Sequence, residues 1–265
     1  MLRHMYFALK KDFTEYLRRH YNILFSMVAL AICCGVFAST MFLPRLLEVL
    51  SVKRPELVQD SQSMADFLLK LFPPDLRGNV GTVVSDFCLF YSVVIILATF
   101  GMVPNEIEGN RWLTPLLCGY TKSELLISKC VIYGLGASAP VVLLTIIYYA
   151  FAASFFTENL TFWDTVVFAA IVGLIEFCLC TITISLSAIC KHSITAAVSV
   201  LGIVYAVPDI LNYLSFGKML PTYLFTYIYS FSTEYSSVII PAIGLICISA
   251  FCVLYSIAKL QRKTL

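Results

Sequence analysis

Residues 162–190 read FWDTVVFAAIVGLIEFCLCTITISLSAIC, and Lys191-His192 follow directly. About 20 apolar residues suffice for a helix to cross the hydrocarbon of a bilayer. This run is longer than that, and its only charged residues are Asp164 near its start and Glu176 in its interior. It reads as a membrane span, and the rest of the chain repeats the pattern. Apolar runs also occupy Ile23–Leu43, Val83–Val103, Leu125–Phe156, residues 193–212 and Val238–Ala258. The expected fold is therefore an all-α polytopic membrane protein with six spans, forming one transmembrane domain over residues 1–265. The first run follows a long polar segment and lacks a small-residue cleavage site, so it reads as a retained span rather than a signal peptide.

Composition agrees. Of the 265 residues, 60% are hydrophobic and 13% are charged, with a mean hydropathy of +0.87. A soluble domain carries about 25% charged residues, so this chain cannot coat a soluble fold of its size. That excludes a cytosolic enzyme and a disordered chain. The ten cysteines fall mostly inside apolar runs and read as small core residues. Neither Cys33-Cys34 nor Cys178-Leu179-Cys180 has the spacing or partners of a metal site, so no metal is expected.

Six spans place both termini on one side. With the N-terminus inside, the inner segments hold 12 basic residues: Arg3, Lys10, Lys11, Arg18, Arg19, Arg111, Lys122, Lys129, Lys191, Lys259, Arg262 and Lys263. The outer segments hold six: Arg45, Lys53, Arg54, Lys70, Arg77 and Lys218. Basic residues accumulate on the cytoplasmic side of membrane proteins, so both termini are expected in the cytoplasm.

Four segments are not plain spans. In residues 1–22, Leu2, Met5, Tyr6, Leu9, Phe13, Tyr16 and Leu17 form one apolar helical stripe, with Lys10, Lys11, Glu15, Arg18 and Arg19 on other faces. This suits a helix lying in the inner interface, either as an anchor or as a lever that touches a cytoplasmic partner. Residues 44–82 form an outer amphipathic loop. There Met64, Phe67, Leu68, Leu71 and Phe72 make a short helix stopped by Pro73-Pro74, and Leu46, Leu47 and Leu50 suggest another. Residues 104–124 are too polar to span and too apolar for a free linker. Trp112, Leu113, Leu116 and Leu117 form an apolar patch there, and Thr121 or Ser123 caps the third span with Glu124 in its first turn. Residues 213–237 are broken by Gly217 and Pro221 and crowded with tyrosine and phenylalanine, as in an outer-interface or re-entrant segment.

The inner loop carries a resemblance. Glu106-Ile-Glu108, the apolar patch, then Gly119-Tyr-Thr-Lys-Ser-Glu124 running to Lys129 is similar to a motif of ABC-2 type permeases, the membrane subunits of one class of ABC exporter. Glu106, Glu108, Lys122, Ser123, Glu124 and Lys129 sit at matching or similar positions. Asn110 stands where the family usually has Gly, and Gly119 where Pro is common. The resemblance extends along nearly the whole chain through the entry helix, the six spans and the broken aromatic segment. It implies that the N-terminal helix, with Lys10, Lys11, Phe13, Glu15 and Arg18, is a connecting helix. The loop, with Glu106, Glu108, Arg111, Trp112, Leu116, Leu117, Gly119, Lys122 and Glu124, would be a coupling helix. Both would rest on two copies of a cytoplasmic ATPase that carries ATP and magnesium, and the permease would pair with a second copy or a related permease. The cargo would be an amphiphile, with a hydrophobic or antimicrobial-type peptide preferred over lipid, drug or polysaccharide. No nucleic acid is implied. The setting is the plasma membrane of a bacterium.

The chain has no phosphate-cradling GxxxxGK[ST] loop; its one Gly-Lys pair, Gly217-Lys218, is followed by Met219. ATP must then be hydrolysed by another polypeptide, and the chain itself is expected to perform no chemistry. Within the spans, Glu176 is the one deep acid. An intramembrane acid marks function by default; here it would serve a substrate path, a proton-linked site in a secondary transporter, or an inter-helix hydrogen bond. Ala31, Gly35 and Ser39 make a small-residue stripe in the first span, for helix packing or the edge of a substrate path. An intramembrane protease or transferase would need a catalytic constellation at membrane depth, and the three histidines are all peripheral.

Overall fold

The computed structural model describes residues 2–53, 75–156, 160–190, 193–211, 220–230 and 236–262. Among these the regular structure is helical: α1 Leu2–Arg18, α2 Tyr21–Lys53, α3 Leu76–Asp86, α4 Ser92–Thr99, α5 Met102–Glu108, α6 Leu113–Leu117, α7 Lys122–Ala152, α8 Phe162–Ile189, α9 Ser193–Leu211, α10 Tyr223–Ser230 and α11 Ser236–Arg262. Five stretches are long and apolar enough to cross a membrane: Tyr21–Phe42, Leu76–Glu108, Lys122–Ala152, Phe162–Ile189 and Ser237–Arg262. The chain is a multi-pass helical membrane protein. The expected helix at Met64–Phe72, and most of the aromatic segment 213–237, lie outside the described residues.

Phe162–Ile189 is the centre. α8 packs against α7, α11, α9 and α4, and it is the most buried of the five spans, with 72% of its apolar window enclosed against 22% for α11. Three of its hydroxyls are satisfied inside the helix. Thr183 and Ser185 donate to the carbonyls of Leu179 and Thr181, and Ser187 to that of Ile184. Thr161 caps the helix by accepting from the Asp164 amide. At the other end of the groove between α8 and α11, Ser256 donates to the Ser185 carbonyl at 2.8 Å.

Several boundaries differ from the hydropathy reading. The first helix does not stop at Leu43 but continues to Lys53, so the helix expected around residues 46–50 is its extension. The second crossing stretch runs on to Glu108 rather than stopping at Pro104, with its helix interrupted by a turn over Phe100–Gly101. Pro104 sits in the first turn of α5, where its missing N–H would have no helical partner anyway. Between α3 and α4, Phe87–Tyr91 forms one π-helical turn. The Tyr205 hydroxyl on α9 donates to the Leu89 carbonyl in that turn, and the Tyr91 hydroxyl donates to Ala137 at 2.7 Å. Hydropathy cannot register a π turn, because it shifts hydrogen bonds without changing composition.

α1 lies across the start of α7, and a glycine permits the approach. The Tyr16 ring sits over Gly136, and its hydroxyl donates to the Gly136 carbonyl at 3.1 Å. A Cβ on Gly136 would come within 2.5 Å of that ring, which is also wedged against Tyr133 and Phe25. Gly136→Ala is therefore expected to displace α1, at about 1–3 kcal/mol for overpacking. Limited proteolysis should then cut α1 faster than in the parent. Gly202→Ala is the control, since nothing lies within 4 Å of a Cβ there.

Candidate functional site

The charged residues of α1, α5 and α7 meet in one buried cluster. Lys129, near the start of α7, places its ammonium 2.7 Å from Glu106, 3.3 Å from Asp12 and 3.6 Å from Glu15. The side chains of Lys129, Asp12 and Glu106 are 1%, 1% and 2% exposed. Arg19 pairs with Glu15 and lies 3.8 Å from Glu106, and Arg111 lies 3.8 Å from Glu15. Three carboxylates thus face four cations, Lys129, Arg19, Arg111 and Lys11. The remaining acceptor sites are filled: the Ser128 hydroxyl donates to Asp12, and the Trp112 indole N–H donates to Glu106 at 2.8 Å. Tyr133 offers its ring face 5.6 Å from the ammonium. A buried charge is tolerated only with partners of this kind.

The cluster follows from helical spacing. Ala8, Asp12, Glu15 and Arg19 recur every three or four residues, so they share one face of α1. That face is turned to α7. The apolar stripe is split: Tyr16 is buried against α7, Met5 and Leu9 are half-buried, and Tyr6, Phe13 and Leu17 point away from α7, at 62%, 50% and 42% exposure. The stripe continues into the exposed residues Ile23, Leu24 and Met27 of α2. Lys10, Lys11 and Arg18 are exposed on the third face, although Lys11 also reaches Asp12 at 3.7 Å. Burial opposes ionisation of Glu15, but the Lys129, Arg19 and Lys11 charges outweigh it and hold its carboxyl below the ordinary value of 4.5. Burial likewise works against charge on Arg19, and Glu15 overcomes it.

A depressed carboxyl stabilises the fold above its unfolded-state value and loses that contribution as pH falls through its lower folded value. The contact of α1 with α7 should therefore persist as pH drops past 4.5 and fail only in stronger acid. Hydrogen exchange over residues 8–19 measures this. Exchange that already rises between neutral pH and that value would contradict it.

The loop is shaped by two left-handed residues. Asn110 has φ +55° and Gly119 φ +88°. Arg111 donates to Glu106 and Asn110 to Ile107, which closes the C-terminus of α5; Tyr120 to Pro115 and Gly119 to Leu116 close α6 the same way. These are the two positions where the loop departs from the ABC-2 motif. Asparagine adopts the left-handed region more readily than most residues, so Asn110 can do the work of a glycine. Proline, fixed near φ −65°, could not take the place of Gly119, so this second turn differs from a proline turn.

The apolar patch divides across this scaffold. Trp112 is 1% exposed and turned into the charge cluster, while Leu113 and Leu117 are 52% and 80% exposed. Leu116 is half-buried, and Glu108 and Arg111 face outward. Thr121 caps α7, and with Glu124 it forms a reciprocal capping box. Lys122 bridges to the Leu260 carbonyl at 3.0 Å. The structure thus joins Glu15, Glu106, Arg111 and Trp112, places Glu124 and Lys122 at the neighbouring helix start, and leaves Lys10, Phe13, Arg18, Glu108 and Leu117 on the surface.

Asp12 was not singled out as a site residue. The available signal is spacing, because Asp12, Glu15 and Arg19 recur every three or four residues on one side of the helix, beside the edge of the apolar stripe at Tyr16.

Glu176 is separate from this cluster. It is fully buried between α8 and α4, accepts from the Ser92 hydroxyl at 2.8 Å through Oε1, and follows the π turn in space. Its Oε2 has no hydrogen-bond partner among the described residues. Glu176→Gln keeps the acceptor oxygen, so the variant is expected to accumulate and melt like the parent; Ser92→Ala should cost about 1 kcal/mol. Gly35 lies on the exposed side of α2 with nothing within 4 Å, and Ser39 is half-buried; neither approaches Glu176 through any contact among the described residues.

No protein-family model matches this sequence, and a search of curated proteins finds no match.

Proposed function

We propose that the chain is the membrane-spanning subunit of an ATP-driven exporter of the ABC-2 permease kind. In this reading α9 is a sixth crossing, both termini are cytoplasmic, and the end bearing α1 and the α5–α6 loop faces the cytoplasm of a bacterial cell. Two copies of a soluble ATPase bind ATP and magnesium and dock on that end. A second permease copy completes the substrate route. The cargo is an amphiphile, with a hydrophobic peptide as the first choice and lipid, drug or polysaccharide as the others.

One observation carries the reading. Leu113 and Leu117 stand exposed on a loop that is tied to the third span through the Glu106–Lys129 pair, with Trp112 of the same loop buried against Glu106. An exposed apolar tip on a rigid mount can receive a push from a partner and pass it to a span. A loosely tethered tip would absorb the motion. The lock also ties α1 to the same span, so displacement of either element acts on α7.

The test is biochemical. The full chain purified from native membranes should bring down a P-loop ATPase. Proteoliposomes holding both should move a hydrophobic peptide only when ATP is hydrolysed. Flux that follows a proton gradient, without ATP and with no ATPase recovered, would overturn the reading and favour a secondary transporter built around Glu176. In that event Glu176→Gln should abolish flux, whereas under the exporter reading ATP-driven flux should survive it.

A further inference from the structure

The charge cluster leaves α1 with a lopsided outward side. Its two acids, Asp12 and Glu15, both turn toward Lys129, with side chains 1% and 20% exposed. Its cations divide. Arg19 joins the cluster from the turn after α1. Lys10 and Arg18 are exposed and form no ion pair among the described residues. Lys11 is exposed beside them and approaches Asp12 to 3.7 Å. The outward side of α1 therefore carries positive charge and no carboxylate of its own.

Those cations edge the exposed apolar arc. At about 100° per residue, Lys10 falls within about 40° of Tyr6 and Leu17, and Arg18 and Lys11 lie about 80–100° further round. Phe7, also exposed, sits between Lys10 and Arg18. The arc does not end with the helix. Only Arg19-His20 separates α1 from α2, whose first exposed residues, Ile23, Leu24 and Met27, belong to a crossing stretch. α1 itself is not among the crossing stretches, so it sits at the end of a span, at headgroup depth. Aromatic residues collect at that depth, and long cationic side chains reach from apolar surface to the phosphates. An acidic protein partner would account for the cations alone. It would not account for the apolar arc beside them, which runs on into the exposed side of a span.

We propose that the outward side of α1 is a binding surface for anionic phospholipid, with Tyr6, Phe13 and Leu17 among the acyl chains and headgroup phosphates at Lys10 and Arg18. Asp12 and Glu15 tie the same helix to Lys129 of α7, so the lipid seats α1 against the third span. The inference rests on the chain being a membrane protein and does not depend on the exporter reading.

The experiment follows hydrogen exchange over α1 in the full chain, in nanodiscs of phosphatidylcholine alone and of equal parts phosphatidylcholine and phosphatidylglycerol. One cation at an anionic surface gives about a fivefold effect, the equivalent of about 1 kcal/mol, so two should slow exchange in the parent about 25-fold when phosphatidylglycerol is present. High salt should remove most of that difference. Lys10→Gln with Arg18→Gln should melt like the parent but exchange alike in the two discs. Lys10→Arg with Arg18→Lys, which keeps both charges, should keep the lipid dependence. If the double glutamine variant melts well below the parent, Lys10→Gln alone should reduce the lipid dependence to about fivefold. Equal exchange by the parent in the two discs would overturn the proposal. So would a lipid response that persists undiminished in the glutamine variants; if those variants also lose a co-purifying protein, the cations belong to that partner instead.

Discussion

Lys129→Met is expected to be the most damaging single substitution in the chain. The ammonium it removes is the shared partner of Asp12, Glu15 and Glu106, from two different helices, and two of those carboxylates are almost completely enclosed. Methionine fills a similar volume but leaves the acids facing one another with Arg19, Arg111 and Lys11 at the margin. Breaking a buried ion pair from one side costs about 3–5 kcal/mol, a large part of what holds an ordinary domain folded. The protein should fail to accumulate, or its melting in detergent should fall sharply and α1 should become protease-sensitive. Lys129→Arg keeps the charge and should recover part of the loss. Glu106→Gln should be milder, because Lys129 keeps Asp12 and Glu15 and the Trp112 indole keeps an oxygen acceptor. A Lys129→Met protein that melts like the parent with α1 docked would show that the cluster is not holding these elements together.

Leu113→Asp combined with Leu117→Asp is expected to separate function from folding. Both side chains are exposed and neither belongs to the charge cluster, so the double variant should accumulate and melt normally. Under the exporter reading these leucines are buried in the ATPase. Loss of a central apolar contact at an interface costs about 2 kcal/mol or more, which corresponds to a roughly thirtyfold weaker complex. ATPase recovery on purification and ATP-driven flux should both collapse. Retained ATPase binding with normal flux would remove the loop from the docking surface. Charge reversal at Glu106 would be a poorer test, because that residue is enclosed with Lys129 and its reversal attacks the fold first. Glu108 is exposed and can be reversed without that complication.

Much of the architecture was legible because membrane crossing is a bulk property. A run such as Phe162–Cys190 has no polar face to give to water, whatever its neighbours do, and the observed helix ends one residue short of it, at Ile189. The start of the third span was legible to within two residues, at Thr121 or Ser123, because capping is local chemistry; the structure selects Thr121, with Glu124 completing the box. Helix ends without such local chemistry were not. Pro104 looked like a stop, but its place in the first turn of α5 depends on where the preceding helix breaks. The π turn at Phe87–Tyr91 is held by Tyr91 and by Tyr205 from a distant helix, and nothing in its own residues announces it.

The N-terminal helix shows where the division falls. Its amphipathic stripe was plain from spacing, but the direction of that stripe was not. In water, the apolar side of a helix turns inward. Against a bilayer the surroundings are themselves apolar, so Tyr6, Phe13 and Leu17 can face out and a polar face can be the one enclosed. By itself the sequence determined that this is a helical membrane protein with few charges, most of them outside its apolar runs. Only the tertiary structure decided that Asp12, Glu15, Glu106 and Lys129 converge. The reason is electrostatic and geometric: a buried lysine is stable only if several acceptors reach it together, and one of those acceptors, Asp12, lies 117 residues from it in the chain.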